Sequence, residues 1–280
     1  MPTNLVPADL EATIVLVRHG ESKFIVEGRF QGQAETQLSS LGRRQAERTA
    51  DRLAHPGASP ALPVPTSPPL EIVHSPLGRT TETATALATA MASGDAVGRA
   101  IPVRSDPGIL EIGQGEWEGL HRTEIERRWG DTLATWRERP LDAWAPGGES
   151  IPEVQMRVRR SLEDLIARLA AAADVRGRSA AAGPPAHRPP VAGYRSGPTT
   201  GPWTIIVGHD GVFKVLLLTL FDLPLERFWM WSFDLCGIGV IEFRAGRPLV
   251  RAMNLTEHLA SLLDEAAHES SVERQRSGAL

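Results

Sequence analysis

The feature that most constrains the fold of this chain is a short apolar run, rich in β-branched residues, that recurs three times and leads each time into a helix-forming segment. The runs are TIVLV at 13–17, LEIVHS at 70–75 and WTIIVGH at 203–209, and helix-like segments follow at 39–54, 77–91 and 211–221. Each run has the length of a buried strand. Repeated strand-then-helix units predict a mostly parallel sheet with helices on both faces. We therefore expect an α/β protein, a three-layer α/β/α sandwich.

Two helix starts carry explicit sequence signals. Ser75 followed by Pro76 indicates an N-cap with proline at the first helical position. Ser150 and Glu153 form an S-x-x-E capping box. Apolar residues then recur every three or four positions, at Ile151, Val154, Val158, Leu162, Leu165 and Leu169. This periodicity predicts the longest helix of the chain, with one face packed on the sheet.

The pattern favours a single domain over 1–280 that carries two insertions. The segment 120–150 interrupts the strand–helix rhythm with LHRTEIERRW and then APGGES, and we expect a cap-like insertion there. The segment 174–202 contains no Leu, Ile, Met or Phe and is rich in Pro and Gly. Such a segment cannot bury enough apolar surface to offset its chain entropy. We expect it to be a flexible surface insertion.

Bulk composition limits the partners of the chain. A net charge of -4 and a pI near 6.1 give no overall attraction to nucleic acid or to an anionic membrane. No basic residue precedes Arg18, and the first apolar run is far shorter than a membrane span of about 20 residues, so neither a signal peptide nor an anchor is indicated. Cys236, the single cysteine, lies in an apolar run that favours a core position. We expect a cytoplasmic protein, and the sequence is compatible with a monomer or a homo-oligomer.

Cationic and imidazole side chains follow the predicted strands, at the end where open α/β sheets bind ligands. Arg18 and His19 follow the first strand, Arg79 lies in the first turn of the helix after the second, and His209 ends the third. These groups would repel one another unless an anion lay among them. A phosphoryl group fits best, because guanidinium groups bind its oxygens in pairs and helix N-termini offer free N–H groups. The strand ends therefore predict a phosphoryl site.

A Gly-rich loop adds a carboxylic acid to this set. Glu111 lies in ILEIGQGEWEGL, at 109–120, after the strand-like IPVR at 101–104. An acid beside a bound phosphoryl group should have its pKa raised by the anion and by partial burial, which suits a proton donor to a leaving alkoxide. Glu116 and Glu118 are rivals in the same loop, and spacing does not choose among the three.

Four motifs in order, LVRHGES, SPLGRTTETA, LEIGQGEWEG and VGHDG, together resemble those of the histidine phosphatase superfamily, the branch 1 or phosphoglycerate mutase-like type. The resemblance spans about residues 13–255, apart from the 174–202 insertion. It implies a phosphoric monoester hydrolase acting on a small phosphorylated substrate, with no cofactor and no metal. It also implies these roles: transient phosphorylation of His19, oxygen binding by Arg18, Arg79 and His209, and proton donation followed by water activation by Glu111. The flanking arginines should hold His19 neutral near pH 7, ready for in-line attack.

One position departs from the family pattern. Family members commonly carry asparagine six residues after the nucleophilic histidine, where it donates to the phosphate, and here that position is Ile25. Either a donor is missing, or Arg29 or Gln31 in the same loop supplies it as a substrate-binding residue.

Other polar and aromatic residues have ordinary explanations. His74 is either a pocket residue or an inert strand-end histidine, and no role is assigned to His55, His121, His187, His258 and His268. Trp129, Trp136 and Trp144 fall in the 120–150 insertion, where packing is their first explanation. A second hypothesis is that one of them walls an apolar or sugar-bearing leaving group.

Three other functions compete with a phosphatase. A mutase would return the phosphoryl group to another oxygen of the same molecule, although GQGEWEG resembles the phosphatase members more than the mutases. A metal-dependent hydrolase could be built on His19, Glu111 and His209, but the adjacent arginines would oppose a dication. A silent binding module would keep the pocket without turnover. We expect a phosphatase, and these motifs do not specify its substrate.

Overall fold

The computed structural model describes residues 5–93, 100–180 and 200–262, apart from the side chains of 176–180. In chain order the strands are β1 (Ala12–Arg18), β2 (Ile72–His74), β3 (Val103–Ser105), β4 (Trp203–Gly208), β5 (Ile238–Arg244) and β6 (Arg247–Leu255). The α-helices are α1 (Lys23–Val26), α2 (Ser40–Ala54), α3 (Gly78–Ser93), α4 (Arg122–Glu138), α5 (Ile151–Ala180) and α6 (Asp210–Leu220). None of the described helices is both long enough and apolar enough to cross a membrane.

The strands form one six-stranded sheet in the order β3-β2-β4-β1-β5-β6. The first four are parallel, and β5 and β6 add an antiparallel hairpin at one edge. The hairpin turns at Ala245 and Gly246, which both have positive φ angles. The predicted α/β fold with a mostly parallel sheet is thus confirmed, whereas the hairpin was not predicted from the sequence.

The sheet is buried on both faces, which explains its unbroken apolar runs. Because successive side chains of a strand point to opposite faces, Ile14 and Leu16 of β1 pack in the apolar cluster that includes α5 and α6. Val15 and Val17 pack in a second cluster, with α2 and α3. The three layers are therefore helices, sheet and helices.

The α5 helix carries both predicted signals. The Ser150 backbone N–H and hydroxyl donate to the Glu153 carboxylate at 2.8 and 2.7 Å, which closes the capping box. The apolar residues that recur every three or four positions in this helix are all buried: Ile151, Val154, Val158, Leu162, Leu165 and Leu169.

Two expected boundaries differ from the structure. The α5 helix continues to Ala180, seven residues into the segment 174–202 that was expected to be a surface insertion. The alanines at 170–173 favour a helix at this point. Positions 181–199 lie outside the described residues. At the start of α3, the helix begins at Gly78 rather than directly after Ser75. Ser75 is therefore not the N-cap of this helix, and that prediction was wrong. The Ser75 hydroxyl instead lies 2.9 Å from His209 Nε2.

The segment 120–150 consists of α4 and the loops that flank it. The α4 helix has non-helical backbone angles at Trp129. Its buried residues Ile125, Leu133 and Trp136 belong to the same apolar cluster as α5 and α6. The segment is thereby anchored beside the ends of β1 and β4, where the candidate site lies.

Candidate active site

The carboxyl ends of β1 and β4 bring two histidines together. The parallel register pairs Arg18 with Gly208, so that His19 and His209 follow at the same edge of the sheet. The His19 backbone N–H donates to the Gly208 carbonyl at 3.0 Å. The two imidazole rings meet edge to face, with centroids 5.1 Å apart. Residues nearly 200 positions apart in the sequence therefore share one site.

The contacts of His19 define which ring nitrogen is available for chemistry. Its Nδ1 lies 2.6 Å from the Gly20 carbonyl oxygen. Since a carbonyl can only accept, Nδ1 carries the proton and Nε2 keeps its lone pair. Burial, followed by the charges of Arg79 and Arg18, lowers the pKa of His19 well below its ordinary value. His19 is thus a neutral imidazole at pH 7, which is the form that acts as a nucleophile.

Two arginines flank this imidazole. Arg79 is fully buried at the start of α3 and donates to the carbonyls of Gly32, at 2.7 Å, and Ala34, at 3.0 Å. Burial lowers the pKa of Arg79 to about 10, although Glu111 opposes this effect, so Arg79 remains charged at pH 7. Arg18 donates to the Phe233 carbonyl at 2.5 Å. Backbone carbonyls therefore fix both guanidinium groups.

Three buried donor nitrogens around His19 have no hydrogen-bond partner. They are Nε of Arg18, Nε of Arg79 and Nδ1 of His209. The His209 Nε2 lies 2.9 Å from the Ser75 hydroxyl, which can donate to it and leave Nδ1–H as a free donor. An unpaired buried donor costs about 1–3 kcal/mol. A bound anion with several oxygens would remove that cost for all three.

The electrostatics of His209 match those of His19. Burial first, and then the charges of Arg79, His19 and Arg18, lower the pKa of His209 well below its ordinary value. The two rings are therefore neutral donors or nucleophiles rather than additional cations, and the positive charge of the site resides on the guanidinium groups.

Glu111 lies at the N-terminus of α6, beside the same pocket. Its Oε1 accepts from the backbone N–H groups of Ile112 and Val212, each at 2.9 Å, and its Oε2 accepts from Gly211 at 3.2 Å. A Cβ atom at Gly211 would lie 2.7 Å from the Glu111 carboxylate oxygen, so a larger residue there would displace the Glu111 side chain. Two separate segments thus hold the acid in place.

The loop of Glu111 is held by an arginine that carries no recognisable signal in the sequence. Arg157, on α5, donates to the carbonyls of Gly108, Leu110 and Glu111 at 2.7–3.0 Å. It also forms a two-point ion pair with Glu149, at 2.9 and 2.8 Å. In the sequence Arg157 is only one of several charged residues on the polar face of a helix.

The rival acids occupy other positions. The Glu116 side chain is 59% exposed and lies 3.9 Å from Arg128. One carboxylate oxygen of Glu118 accepts the backbone N–H groups of Gln33 and Gln114, at 2.8 and 2.9 Å. Of the three acids in the loop, Glu111 is the one that lines the pocket.

The two candidate replacements for the missing asparagine differ in position. Gln31 is buried, lines the pocket and accepts the Ser22 hydroxyl at 2.6 Å. Arg29 instead pairs with Glu27 at 2.7 Å and donates to the Gly119 carbonyl, away from the pocket wall. Ile25 is not among the residues that line the pocket. The structure therefore places Gln31, and not Arg29, at the site.

Further pocket residues come from segments with no recognisable signal. Besides the residues already named, the lining includes Phe30, Gly32, Ile112, Gln114, Trp136 and Phe228. Of the three tryptophans of the 120–150 segment, Trp136 lines the pocket, whereas Trp144 is 44% exposed and Trp129 stacks under Arg128. His74 is buried, with Nδ1 2.8 Å from the Ser75 carbonyl, and does not line the pocket. Nowhere in the described residues do three or more His, Cys, Asp or Glu side chains form a group able to hold a metal ion.

The lowered histidine pKa values predict loss of stability in mild acid. His258 has its pKa lowered to about 4, mainly by burial, and its Nε2 lies 2.9 Å from the Thr49 hydroxyl. Its value in the unfolded chain is about 6.5, so between pH 4 and pH 6.5 the unfolded state binds more protons. This contribution to stability is present above pH 6.5 and is lost as pH falls towards 4. His19 and His209 act in the same direction.

Urea unfolding at a series of pH values measures this effect. His258→Gln keeps a partner for Thr49 and removes one titrating group, so the slope of unfolding free energy against pH should decrease by up to about 1.4 kcal/mol per pH unit. Stability that is constant or rises between pH 6.5 and pH 4.5 would contradict the assignment.

Comparison with known proteins agrees with this geometry. The family model of the histidine phosphatase superfamily (branch 1) matches residues 14–174 and 194–256. The chain is 26% identical over 257 residues to phosphoserine phosphatase 1 of Hydrogenobacter thermophilus, which covers 90% of this chain and 97% of that protein. It is 31% identical over 221 residues to glucosyl-3-phosphoglycerate phosphatase of Mycolicibacterium vanbaalenii, covering 77% of this chain and 76% of the relative.

A solved structure shares the fold. A mycobacterial glucosyl-3-phosphoglycerate phosphatase in complex with VO3 superposes with a TM-score of 0.64 at 26% identity, covering 87% of this chain and 99% of the other. The similarity therefore extends over the sheet and both helical layers.

Proposed function

Because this chain belongs to branch 1 of the histidine phosphatase superfamily, we propose that it hydrolyses a small phosphate monoester by transferring the phosphoryl group to Nε2 of His19. The observation that supports this most directly is the state of His19. It is a neutral imidazole with Nδ1–H bonded to the Gly20 carbonyl, between two guanidinium groups that have unused donors. The names of the relatives support a phosphatase activity.

In the first step, the lone pair of His19 Nε2 attacks phosphorus in line with the ester bond. The N–P bond forms while the P–O bond to the leaving group breaks, and protonated Glu111 gives its proton to the departing oxygen. The free donors of Arg18, Arg79 and His209 bind the equatorial oxygens as negative charge shifts. The products are an alcohol and an N-phosphohistidine.

The Gly20 carbonyl has a specific function in this step. Attack through Nε2 leaves the ring as a phosphoimidazolium, with positive charge shared by both nitrogens. The 2.6 Å hydrogen bond from Nδ1 to the Gly20 oxygen stabilises that charge and fixes the orientation of the ring.

In the second step, a water molecule attacks the phosphohistidine. The Glu111 carboxylate accepts a proton from the water, the N–P bond breaks and its electron pair returns to Nε2. Orthophosphate leaves, and both His19 and Glu111 are restored to their starting forms. The same acid thus serves each half-reaction, with the proton moving in opposite directions.

Product analysis tests the proposal. We expect release of one orthophosphate per ester consumed across a panel of phosphate monoesters that includes p-nitrophenyl phosphate, together with activity that persists in excess chelator. Interconversion of 2- and 3-phosphoglycerate without release would instead indicate a mutase. Activity lost in chelator and restored by a divalent cation would indicate a metal-dependent hydrolase. Phosphate binding without turnover of a broad monoester library would indicate a silent module.

A further inference from the structure

The side chains that line the pocket fall into two chemical groups. Arg18, His19 and Glu111 carry the proposed chemistry, and we call them the phosphoryl side. Four apolar side chains and two amides make up the second group, which we call the wall: Phe30, Ile112, Trp136, Phe228, Gln31 and Gln114. A leaving group that occupies this pocket while its phosphoryl group reacts at His19 would contact the wall.

The aromatic part of this wall is preformed. Phe30 and Trp136 both contact the fully buried Trp117, with ring centroids 6.0 and 6.2 Å apart, edge to face in each case. Phe228 lies 6.4 Å from Trp136. Phe30, Trp136 and Phe228 are at most 4% exposed. These rings support one another and present a fixed apolar surface, which suits a flat or apolar leaving group.

The wall offers no cation to a charged leaving group. Arg18 is the one Lys or Arg among the residues lining the pocket, and it belongs to the phosphoryl side. Lys214 lies nearby, 5.3 Å from the Phe228 ring, but it is buried and paired with Asp210 at 2.6 Å. Arg29 is occupied by Glu27. A carboxylate on the leaving group would therefore be desolvated without a counter-ion, which is costly.

We propose that this pocket selects phosphate monoesters whose leaving group is uncharged and presents an apolar face, such as an aryl or alkyl alcohol, over those whose leaving group carries a carboxylate. The proposal rests on the proposed function, since it concerns the alcohol that the same reaction releases. Trp136 and Phe228 provide the apolar contact, and Gln31 and Gln114 accept or donate to neutral polar groups. Phosphoserine and phosphoglycerate derivatives belong to the disfavoured class.

A matched pair of substrates tests the charge rule. The esters 4-ethylphenyl phosphate and 4-(carboxymethyl)phenyl phosphate have similar phenols as leaving groups and differ by one carboxylate. We expect kcat/KM at pH 7.5 to be about 30-fold higher for the ethyl ester, since burying an unpaired carboxylate costs much more free energy than burying a methyl group. Equal values, a preference for the carboxylate, or hydrolysis of other monoesters but of neither aryl ester would each overturn the inference.

Substitutions at Gln114 and Trp136 test whether the wall causes this selectivity. Gln114→Arg places a cation there and should raise relative activity on the carboxylate ester about tenfold, whereas Gln114→Met, its matched control, should not. Trp136→Leu should raise KM for the ethyl ester and leave inhibition by inorganic phosphate unchanged. If Trp136→Leu does not fold, the Gln114 pair still decides, because an unchanged preference in Gln114→Arg contradicts the assignment. Failure of the proposed function would be distinct: neither ester, nor any other monoester, would release phosphate.

Discussion

Replacing His19 with alanine is expected to lower kcat by about 10⁴–10⁶-fold, the range found when an enzyme loses its nucleophile. The other groups of the site lie on separate segments, and none of them offers a neutral nitrogen with a free lone pair between the two arginines. The wild-type chain, mixed briefly with a ³²P-labelled ester and then denatured, should carry an acid-labile, base-stable label. His19→Ala should carry none.

The control for this experiment is another histidine. His55 is exposed and lies after α2, and His55→Ala should keep both turnover and the labelled intermediate. Inorganic phosphate should still bind His19→Ala, because Arg18 and Arg79 are held by backbone carbonyls and not by the imidazole. Turnover within tenfold of wild type in His19→Ala, or its label retained, would refute a phosphohistidine mechanism.

When Glu111 is replaced, the loss of rate should depend on how much the leaving group needs a proton. Glu111→Gln is expected to slow an alkyl ester by about 10²–10⁴-fold, the usual contribution of a general acid. With a p-nitrophenyl ester, whose leaving group needs no proton, the rate of the phosphorylation step should fall much less. Burst measurements of nitrophenol release isolate that step from hydrolysis of the intermediate. Glu116→Gln, in the same loop but exposed, is the matched control and should behave as wild type.

Arg157 extends this prediction to a positioning residue. Arg157 donates to the carbonyls of Leu110 and Glu111, so Arg157→Met should shift the loop that carries the acid. We expect this variant to lose activity selectively on alkyl esters, as Glu111→Gln does. Arg157→Lys should retain part of that activity. If the role of Arg157 were purely structural, Arg157→Met would lower the activity on all substrates equally. Equal losses on both ester classes would therefore contradict a function for Arg157 in positioning the acid.

The fold was predictable where local patterns are strong. The runs that became β1 and β4 are apolar and β-branched because both faces of the central strands are buried. The α5 helix combined a capping box with an apolar face of regular spacing. The β5–β6 hairpin was not identified, because its turn at Ala245 and Gly246 carries none of the common hairpin signals.

The site residues that directly follow parallel strands could be predicted to lie together. Arg18, His19 and His209 meet because parallel strands end at one edge, which follows from the strand pattern alone. The leaving-group wall was not predictable, because Trp136 and Phe228 reach the pocket only through packing between distant segments. Arg29 and Gln31 are both polar and two residues apart. Only the path of the backbone decides that Gln31 turns inward while Arg29 pairs with Glu27.

The α5 helix separates the candidate active site from the Pro- and Gly-rich segment 174–202. Arg157, near the start of that helix, touches the acid loop, and Ala180 lies about 35 Å further along the helix axis, at 1.5 Å per residue. Strand β4 then begins at Trp203 and reaches the histidines only at its far end. The described end of α5 and the start of β4 therefore both lie away from the candidate active site. We therefore expect insertions or deletions between α5 and β4 to leave the reacting groups in place.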